Sequence, residues 1–393
     1  MELFKITDIN FLGYRKHFLL LSGVMIIAGV ASMVTKGGLK MGIDFKGGTL
    51  VYAKFSESPD VVRIRSALQE KGLVVSALQP FTEMGGSHEL KIDLDLMSTE
   101  DDLTSGRALV VEVLDGLYPA EEGKLNFNNT GEEALALRLG RNERVAGLGL
   151  TADELREVAE ALLAFRDQAP RSGLVGDFVE MAAVPGINPD VIAVLPQETY
   201  LGKYSIRGVG IVGPKIGADL QRQARNATLA ALGGMLLYIA FRFEWIYGVA
   251  AVVAVFHDVL ITLGFLSFFD RQIELPVVAA LLTLVGYSMN DSIVIFDRVR
   301  ENRKLAIKRQ PLEQLLNLSI NQTLARTVLT SGLTLVAVLA LFWFGGEVLR
   351  GFSFALVVGV LVGTYSSIFI AGPILLWWQG FRSSRTAGAR RVG

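Results

Sequence analysis

Two carboxylates lie inside apolar stretches of the sequence, where ionised groups are costly. Asp291 stands in the run 275–297, and Asp258 stands near the middle of the run 246–269. An ionised carboxylate at the centre of a membrane helix costs about 2.5–3.5 kcal/mol on insertion scales. Such a residue rarely persists without a function, so both are candidates for chemistry within a membrane.

Asp291 has polar neighbours that could hydrogen-bond a buried acid: Asn290, Ser288 and Ser292. Arg326, at the start of a later apolar run, is the candidate cation. An intramembrane acid with a cationic partner is the arrangement that proton relays use. Two alternatives stay open: Asp291 as a helix-end carboxylate at the interface, and Arg326 as an arginine that snorkels to the membrane surface.

Asp258 is an additional candidate for the proton pathway. His257 is adjacent, so the two side chains point about 100° apart on a helix and need not meet. Thr262 lies one turn away on the same face and could donate a hydrogen bond to the Asp258 side chain. Asp258 is thus a functional or a structural residue, and the sequence leaves both possibilities open.

Other kinds of chemistry lack the residues that they need. The chain has no cysteine, and its three histidines, His17, His88 and His257, are far apart in the sequence. Neither a Ser-His-Asp set nor a phosphate-binding loop is evident. We therefore expect no metal site, no cofactor and no enzymatic activity.

Composition indicates an integral membrane protein. Of 393 residues, 51% are hydrophobic and 20% charged, and the mean hydropathy is +0.42. These values are too apolar for a soluble chain of this size. The net charge of −1 offers no support for nucleic-acid binding.

Six apolar runs predict six transmembrane helices. The first membrane segment is 17–36, after a cytoplasmic N-terminus at 1–16. The region 214–380 is a five-helix bundle with a cytoplasmic loop at 298–322, and 381–393 is a cytoplasmic tail. The five runs in the bundle lie near 218–243, 246–269, 275–297, 325–345 and 352–379.

Basic residues cluster on one side of these predicted helices. The short segments on the N-terminal side are rich in Lys and Arg, whereas the opposite short loops hold only Arg271 and Arg350. Positive charge marks the cytoplasmic side of a membrane protein. Both termini are therefore expected in the cytoplasm, and the large region 37–213 outside it.

The region 37–213 alternates strand and helix patterns. Its predicted order is strand, helix, strand, strand, helix and a distant last strand, which is the ferredoxin-like βαββαβ order of an α+β domain. A mostly helical insertion at about 122–200 separates the last strand from the rest, and Thr151 with Glu154 predicts a capping box there. The predicted elements are 48–55, 59–71, 74–81, 89–96, 104–118 and 203–212.

Two glycine-rich connections join this domain to the membrane, near 37–48 and 209–217. Glycine suits tight turns and backbone that must bend. We therefore interpret them as an exit turn and hinge, made by Asp44, Phe45, Gly47, Gly48, Gly213 and Pro214.

Several segments, taken in order, resemble the SecD/SecF family of bacterial protein-export membrane proteins, within the resistance-nodulation-division superfamily. They cover the whole membrane part and the exit turn. The matching segments are GIDFKGG (42–48), VGPKIG (212–217), FRFEW (241–245), HDV (257–259), GYSMNDS (286–292), FDRVREN (296–302), TLART (323–327) and GTYSSI (363–368).

The resemblance implies an accessory subunit of the Sec protein translocase. Such a subunit pairs with SecD, docks on the SecYEG channel and uses the proton-motive force to move unfolded polypeptides outward. It also implies that Asp291 and Arg326 belong to the proton pathway. Two departures are Lys46, where the family usually has Thr, and the long insertion 122–200.

Two other functions are weighed against protein export. One is half of a proton-driven exporter of small molecules or lipids from the same superfamily, which should offer an apolar pocket in its outer domain. The strand 89–96 instead places Glu89, Lys91, Asp93 and Asp95 on one face, and we expect that face to be open to solvent. The other is a scaffold in which the membrane charges serve only packing.

Overall fold

The computed structural model of the chain describes residues 7–82, 88–95, 103–242, 245–305 and 310–378. It divides into two compact units. A helical unit comprises the chain up to Gly42 and again from Asp219, and a sheet unit comprises Ile43–Ala218. The predicted tail 381–393 and parts of the segments 1–16 and 298–322 lie outside the described residues.

The helical unit begins with a 3-10 turn, Phe11–Tyr14, that leads into α1. The helices that lie between α1 and α9 in the chain belong to the sheet unit and its insertion. The long helices are α1 (Arg15–Thr35), α9 (Pro214–Arg242), α10 (Trp245–Phe268), α11 (Leu275–Lys304), α12 (Leu312–Phe344) and α13 (Gly346–Phe369).

Five of the helical segments described here are long and apolar enough to cross a membrane: Phe11–Thr35, Trp245–Phe268, Leu275–Lys304, Leu312–Phe344 and Gly346–Trp378. The helix α9 has 29 residues but is not among them. Its first turns carry Lys215, Asp219, Arg222 and Arg225, which lower its hydropathy. The structure thus supports five membrane-spanning helices on apolarity alone.

The sheet unit holds a four-stranded antiparallel sheet with the order β2-β3-β1-β6. Its helices α3 and α4 follow the first and third strands, and their buried apolar side chains share one core with the sheet. The strands and helices occur where the alternating pattern predicted them. They are α2 (Ile43–Lys46), β1 (Gly48–Phe55), α3 (Val61–Glu70), β2 (Val75–Thr82), β3 (His88–Asp95), α4 (Leu103–Leu117) and β6 (Tyr204–Val212).

The insertion is mostly helical and has its own apolar core. Thr151 and Glu154 form the predicted capping box at the start of α7. Asn129 fixes the insertion to the edge of the sheet: its Oδ1 accepts from the Ile206 amide at 2.9 Å, and its Nδ2 donates to the Tyr204 carbonyl at 3.1 Å. Its elements are β4 (Leu125–Asn126), α5 (Glu132–Gly140), α6 (Glu143–Ala146), α7 (Ala152–Asp167), α8 (Pro189–Glu198) and β5 (Thr199–Tyr200).

The expectation that the charged face of β3 is open to solvent is wrong. Glu89, Lys91 and Asp93 are 2%, 4% and 1% exposed. Lys54, opposite Glu89 in the sheet, donates to the Arg171 carbonyl at 2.7 Å. A loop of the insertion therefore reaches this face, and the strand pattern alone could not reveal that a distant segment would cover it.

The exit turn is a close-packed part of the sheet unit. Gly48 has φ +152°, and a Cβ there would lie 2.2 Å from the Leu94 carbonyl oxygen. A Cβ on Gly217 would lie 3.1 Å from the Gly47 amide nitrogen. These glycines permit contact between backbones, because any side chain would force the segments apart. The predicted hinge residues 43–48 and 213–214 all belong to the sheet unit.

The chain before Gly42 is bound to the helical unit. Lys36 Nζ donates to the Ser267 carbonyl at 2.7 Å, and Lys40 forms an ion pair with Asp270. The Gly42 amide donates to the Ile273 carbonyl at 2.9 Å. This stretch is therefore anchored to the turn between α10 and α11 by both side chains and backbone.

Candidate functional site in the membrane helices

Asp291 lies on the buried side of α11 and is 2% exposed. Its Oδ2 accepts a hydrogen bond from Ser331 Oγ of α12 at 3.3 Å. Thr327, four residues before Ser331 and hence on the same face of α12, is also buried. The carboxylate therefore faces a polar strip of α12 made of small hydroxyl side chains.

Arg326 lies beside this site without forming a direct ion pair. It is five residues from Ser331, so the two side chains point about 140° apart around α12. Arg326 is exposed in the single chain. The sequence pairs Arg326 with Asp291, whereas in the structure Ser331 is the residue that contacts the acid.

The three polar neighbours of Asp291 point in different directions. Asn290 is exposed, whereas Ser288 and Ser292 are fully buried. Ser288 Oγ donates to Asp258 at 2.5 Å and does not reach Asp291. Ser292 Oγ has no hydrogen-bond partner among the described residues. The expectation that this turn holds Asp291 by hydrogen bonds is therefore wrong, because a helix turn spreads its side chains around the axis.

Asp258 is fully buried at the centre of a second polar cluster. His257 Nδ1 lies 2.8 Å from its Oδ1, so the adjacent side chains do meet. Ser366 Oγ of α13 donates to its Oδ2 at 2.7 Å. Thr262 donates instead to the backbone carbonyl of Asp258 at 2.8 Å, the i−4 bond usual for Thr in helices, and so does not bind the carboxylate.

Three residues of these clusters were missed by sequence reasoning: Ser331, Ser366 and Tyr365. Tyr365 Oη lies 3.4 Å from His257 Nε2 and 3.1 Å from Ser22 Oγ of α1. The available signal was the presence of hydroxyl side chains in otherwise apolar runs. That signal is weak, because Ser and Thr in membrane helices commonly bond to their own backbone.

Helix α11 takes part in both clusters, through Ser288 in one and Asp291 in the other, and it packs closely on α13. A Cβ on Gly363 would lie 3.1 Å from Ser288 Cβ, and one on Gly359 would lie 2.6 Å from Leu284. These glycines form the small-xxx-small spacing that allows membrane helices to approach closely. Ser288 and Asp291 are three residues apart on α11, so this crossing sets the position of both.

Fold and site together define a class: a helical membrane protein with buried carboxylates in its bundle and an α+β unit inserted after the first helix. Two family models match the chain. The C-terminal domain of protein export membrane proteins SecD/SecF matches residues 194–380, and the SecD/SecF GG motif matches residues 31–59. The chain belongs to the SecD/SecF family.

Its relatives include two proteins named protein translocase subunit SecF. That of Koribacter versatilis is 44% identical, over 99% of this chain and 96% of the relative. That of Rhodothermus marinus is 34% identical, over 100% of this chain and 99% of the relative. The protein translocase subunit SecDF of Thermus thermophilus is 52% identical over 45% of this chain, which corresponds to 24% of that longer protein.

Solved structures show the same fold. A crystal structure of SecDF from Thermus thermophilus, described as a translocon-associated membrane protein, superimposes with a TM-score of 0.65 at 30% identity. The match covers 96% of this chain and 40% of that one. A second SecDF structure, in a super-membrane-facing form, gives a TM-score of 0.54 at 31% identity over 99% of this chain and 41% of that one.

Proposed function

We propose that this protein is an accessory subunit of the Sec protein translocase that uses the proton-motive force to promote protein export. Asp291 is the proton-binding group, and Arg326 is the cation that acts on it. One proton moving through 100 mV releases about 2.3 kcal/mol. That energy is enough to shift a two-state equilibrium between conformations that differ by a few kcal/mol.

The observation that carries this proposal is the incomplete site around Asp291. The carboxylate is buried against Ser331 at 3.3 Å, whereas Arg326, the candidate cation, is exposed on another face of α12. An exposed arginine in a membrane helix needs a polar partner. We infer that SecD covers this face, since the name SecDF of one relative joins the two subunits in a single protein.

The proposed architecture follows from the same comparison. It has six transmembrane helices, with α9 as the second, both termini in the cytoplasm of the inner membrane, and the sheet unit outside. The strand order β2-β3-β1-β6, with helices after the first and third strands, supports a ferredoxin-like outer domain. SecYEG and the unfolded exported chain are the further partners.

The hinge of the outer domain is proposed at the first end of the sheet unit, between Gly42 and Ile43, because at its other end the helix α9 (Pro214–Arg242) continues without a break. In this proposal the exit turn is structural and moves with the sheet. Its residues are Asp44, Phe45, Gly47, Gly48, Gly213 and Pro214. Their tight packing supports motion of the turn together with the sheet, since glycine-mediated backbone contacts leave little room for independent movement.

The test is export of a secreted precursor into inverted membrane vesicles, with and without an uncoupler. We expect Asp291→Asn and Arg326→Ala to remove the uncoupler-sensitive stage of export while SecD association is kept. The asparagine amide is close in size to the carboxylate that it replaces but does not bind and release a proton in this pH range. Association is measured by co-purification with SecD.

Matched controls use the same changes at exposed positions. Glu301→Gln removes a carboxylate from α11 where it is 55% exposed, and Arg222→Ala removes an arginine from α9 where it is 67% exposed. Both should export normally, because exposed ion pairs contribute about 0–1 kcal/mol. Undiminished uncoupler-sensitive export by Asp291→Asn and Arg326→Ala would refute the proton-relay role.

A further inference from the structure

We propose that His257 and Asp258 form a fixed imidazolium–carboxylate pair that positions α11, and with it Asp291, without itself carrying protons. This inference rests on the proposed function, because the pair acts through Asp291. It assigns both side chains a charged but constant state, and makes them positioning residues for the proton-binding site.

The first step is the state of Asp258. Its carboxyl group is 0% exposed, and polar side chains from three helices surround it: His257 Nδ1 lies 2.8 Å from Oδ1, and Ser288 Oγ and Ser366 Oγ donate to Oδ2 at 2.5 Å and 2.7 Å. An ionised carboxylate accepts hydrogen bonds at both oxygens, whereas a protonated one must also donate. The two serine donors match the ionised form, and with His257 donating to Oδ1 all three contacts match it.

The second step is charge balance. A buried carboxylate without a counter-charge is very costly. Among the described residues, His257 is the cation-forming side chain within ion-pair distance of Asp258. Within the ranges that the structure describes, a further titratable group that faces the pair is Tyr365 of α13, whose Oη lies 3.4 Å from His257 Nε2. An imidazolium donates from both ring nitrogens, so it satisfies Asp258 and Tyr365 together, and Tyr365 can then donate to Ser22 at 3.1 Å.

The third step separates positioning from proton transfer. The pair is bonded to α1, α11 and α13, and no hydrogen bond joins it to the Asp291 carboxylate in the described part of the chain. What it shares with Asp291 is α11, since Ser288 lies three residues before that acid. Fixing Ser288 fixes the rotation of α11, and the single 3.3 Å bond from Ser331 to Asp291 depends on that rotation.

The charge state is measured by ¹⁵N solid-state NMR of the full chain in lipid bilayers. His17→Gln and His88→Gln leave His257 as the one histidine of the three in the sequence. We expect both ring nitrogens of His257 to carry protons at neutral pH, and a neutral ring to appear in Asp258→Asn, since that change removes the counter-charge. A neutral His257 ring in the parent protein would overturn the proposal.

The positioning role is measured by uncoupler-sensitive export. His257→Gln leaves the carboxylate without its counter-charge and should lower export by about tenfold or more, whereas the double variant with Asp258→Asn, which removes both charges and keeps amide hydrogen bonds, should return within about threefold of the parent. If His257 and Asp258 carried protons, the double variant would not regain export, because it has no titratable side chain at these two positions.

Two export outcomes contradict the inference. One is a double variant as inactive as Asp291→Asn, and the other is a His257→Gln variant that exports like the parent. If Asp291→Asn itself retains uncoupler-sensitive export, the proposed function fails instead. In that case the histidine ring signal still decides the charge state of the pair.

Discussion

The contact between α1 and α10 depends on two glycines and yields a sharp prediction. A Cβ built on Gly29 lies 2.7 Å from Gly264 Cα, and a Cβ built on Gly264 lies 2.8 Å from Gly29 Cα. The helices therefore touch backbone to backbone. We predict that Gly29→Ala separates them, because no rotamer change can move a backbone atom out of the way.

The expected cost follows from the distances. Carbon atoms normally pack at about 3.5–4.0 Å, so the helices must separate locally by about 1 Å. Overpacking of this kind costs about 1–3 kcal/mol. Gly23→Ala in the same helix is the control, since a Cβ there meets nothing within 4 Å. Each glycine-to-alanine change favours the helix by about 1 kcal/mol. The difference in stability between the two variants therefore gives the cost of the clash alone.

The assay uses the absence of cysteine from the sequence. Ser32 and Ser267 lie one turn beyond the glycine contact, with their Oγ atoms 2.9 Å apart. Ser32→Cys with Ser267→Cys should form a disulfide readily in the parent and much more slowly after Gly29→Ala. The apparent Tm in detergent should fall in parallel. Equal cross-linking rates and equal Tm values for Gly29→Ala and Gly23→Ala would refute the packing argument.

Two further predictions concern the ion pair between Lys40 and Asp270 and the hydrogen bonds by which Asn129 fixes the insertion to the sheet. Asp270→Asn should lower the apparent Tm slightly at pH 7, and the difference from the parent should vanish in acid. A hydrogen bond and charge from Lys40 hold the pKa of Asp270 below its usual range, so its contribution is present above the usual pKa and lost as pH falls through the lowered one. Asparagine tolerates the φ of +58° there. Asn129→Leu should speed hydrogen exchange at the Ile206 amide about fivefold, since it removes a hydrogen bond of about 1 kcal/mol, and hydrogen-exchange mass spectrometry of peptides over 204–212 measures this.

Local patterns in the sequence predicted the elements of this protein well. Apolar run length identified the membrane helices, because a backbone in lipid must satisfy its own hydrogen bonds. Alternation identified the strands of the sheet, and the capping box of Thr151 and Glu154 identified the start of α7. The exception is α9, which is not among the described helices that are long and apolar enough to cross a membrane.

Partners of the site residues could not be predicted in the same way. Asp291 accepts from Ser331, forty positions away, and Asp258 accepts from Ser366, 108 positions away. Which hydroxyl faces a carboxylate depends on the rotation of one helix against another, and that rotation is set by packing between them. Sequence spacing fixes only the neighbours within a helix.

Local features of the sequence were enough to predict that Asp291 and Asp258 lie in membrane helices, because the length of an apolar run is a local property. What each acid contacts depends on the tertiary structure. It joined His257 to Asp258, left Arg326 exposed and brought a loop of the insertion to the charged face of β3. These outcomes depend on the meeting of segments far apart in the chain, which packing governs and no local pattern encodes.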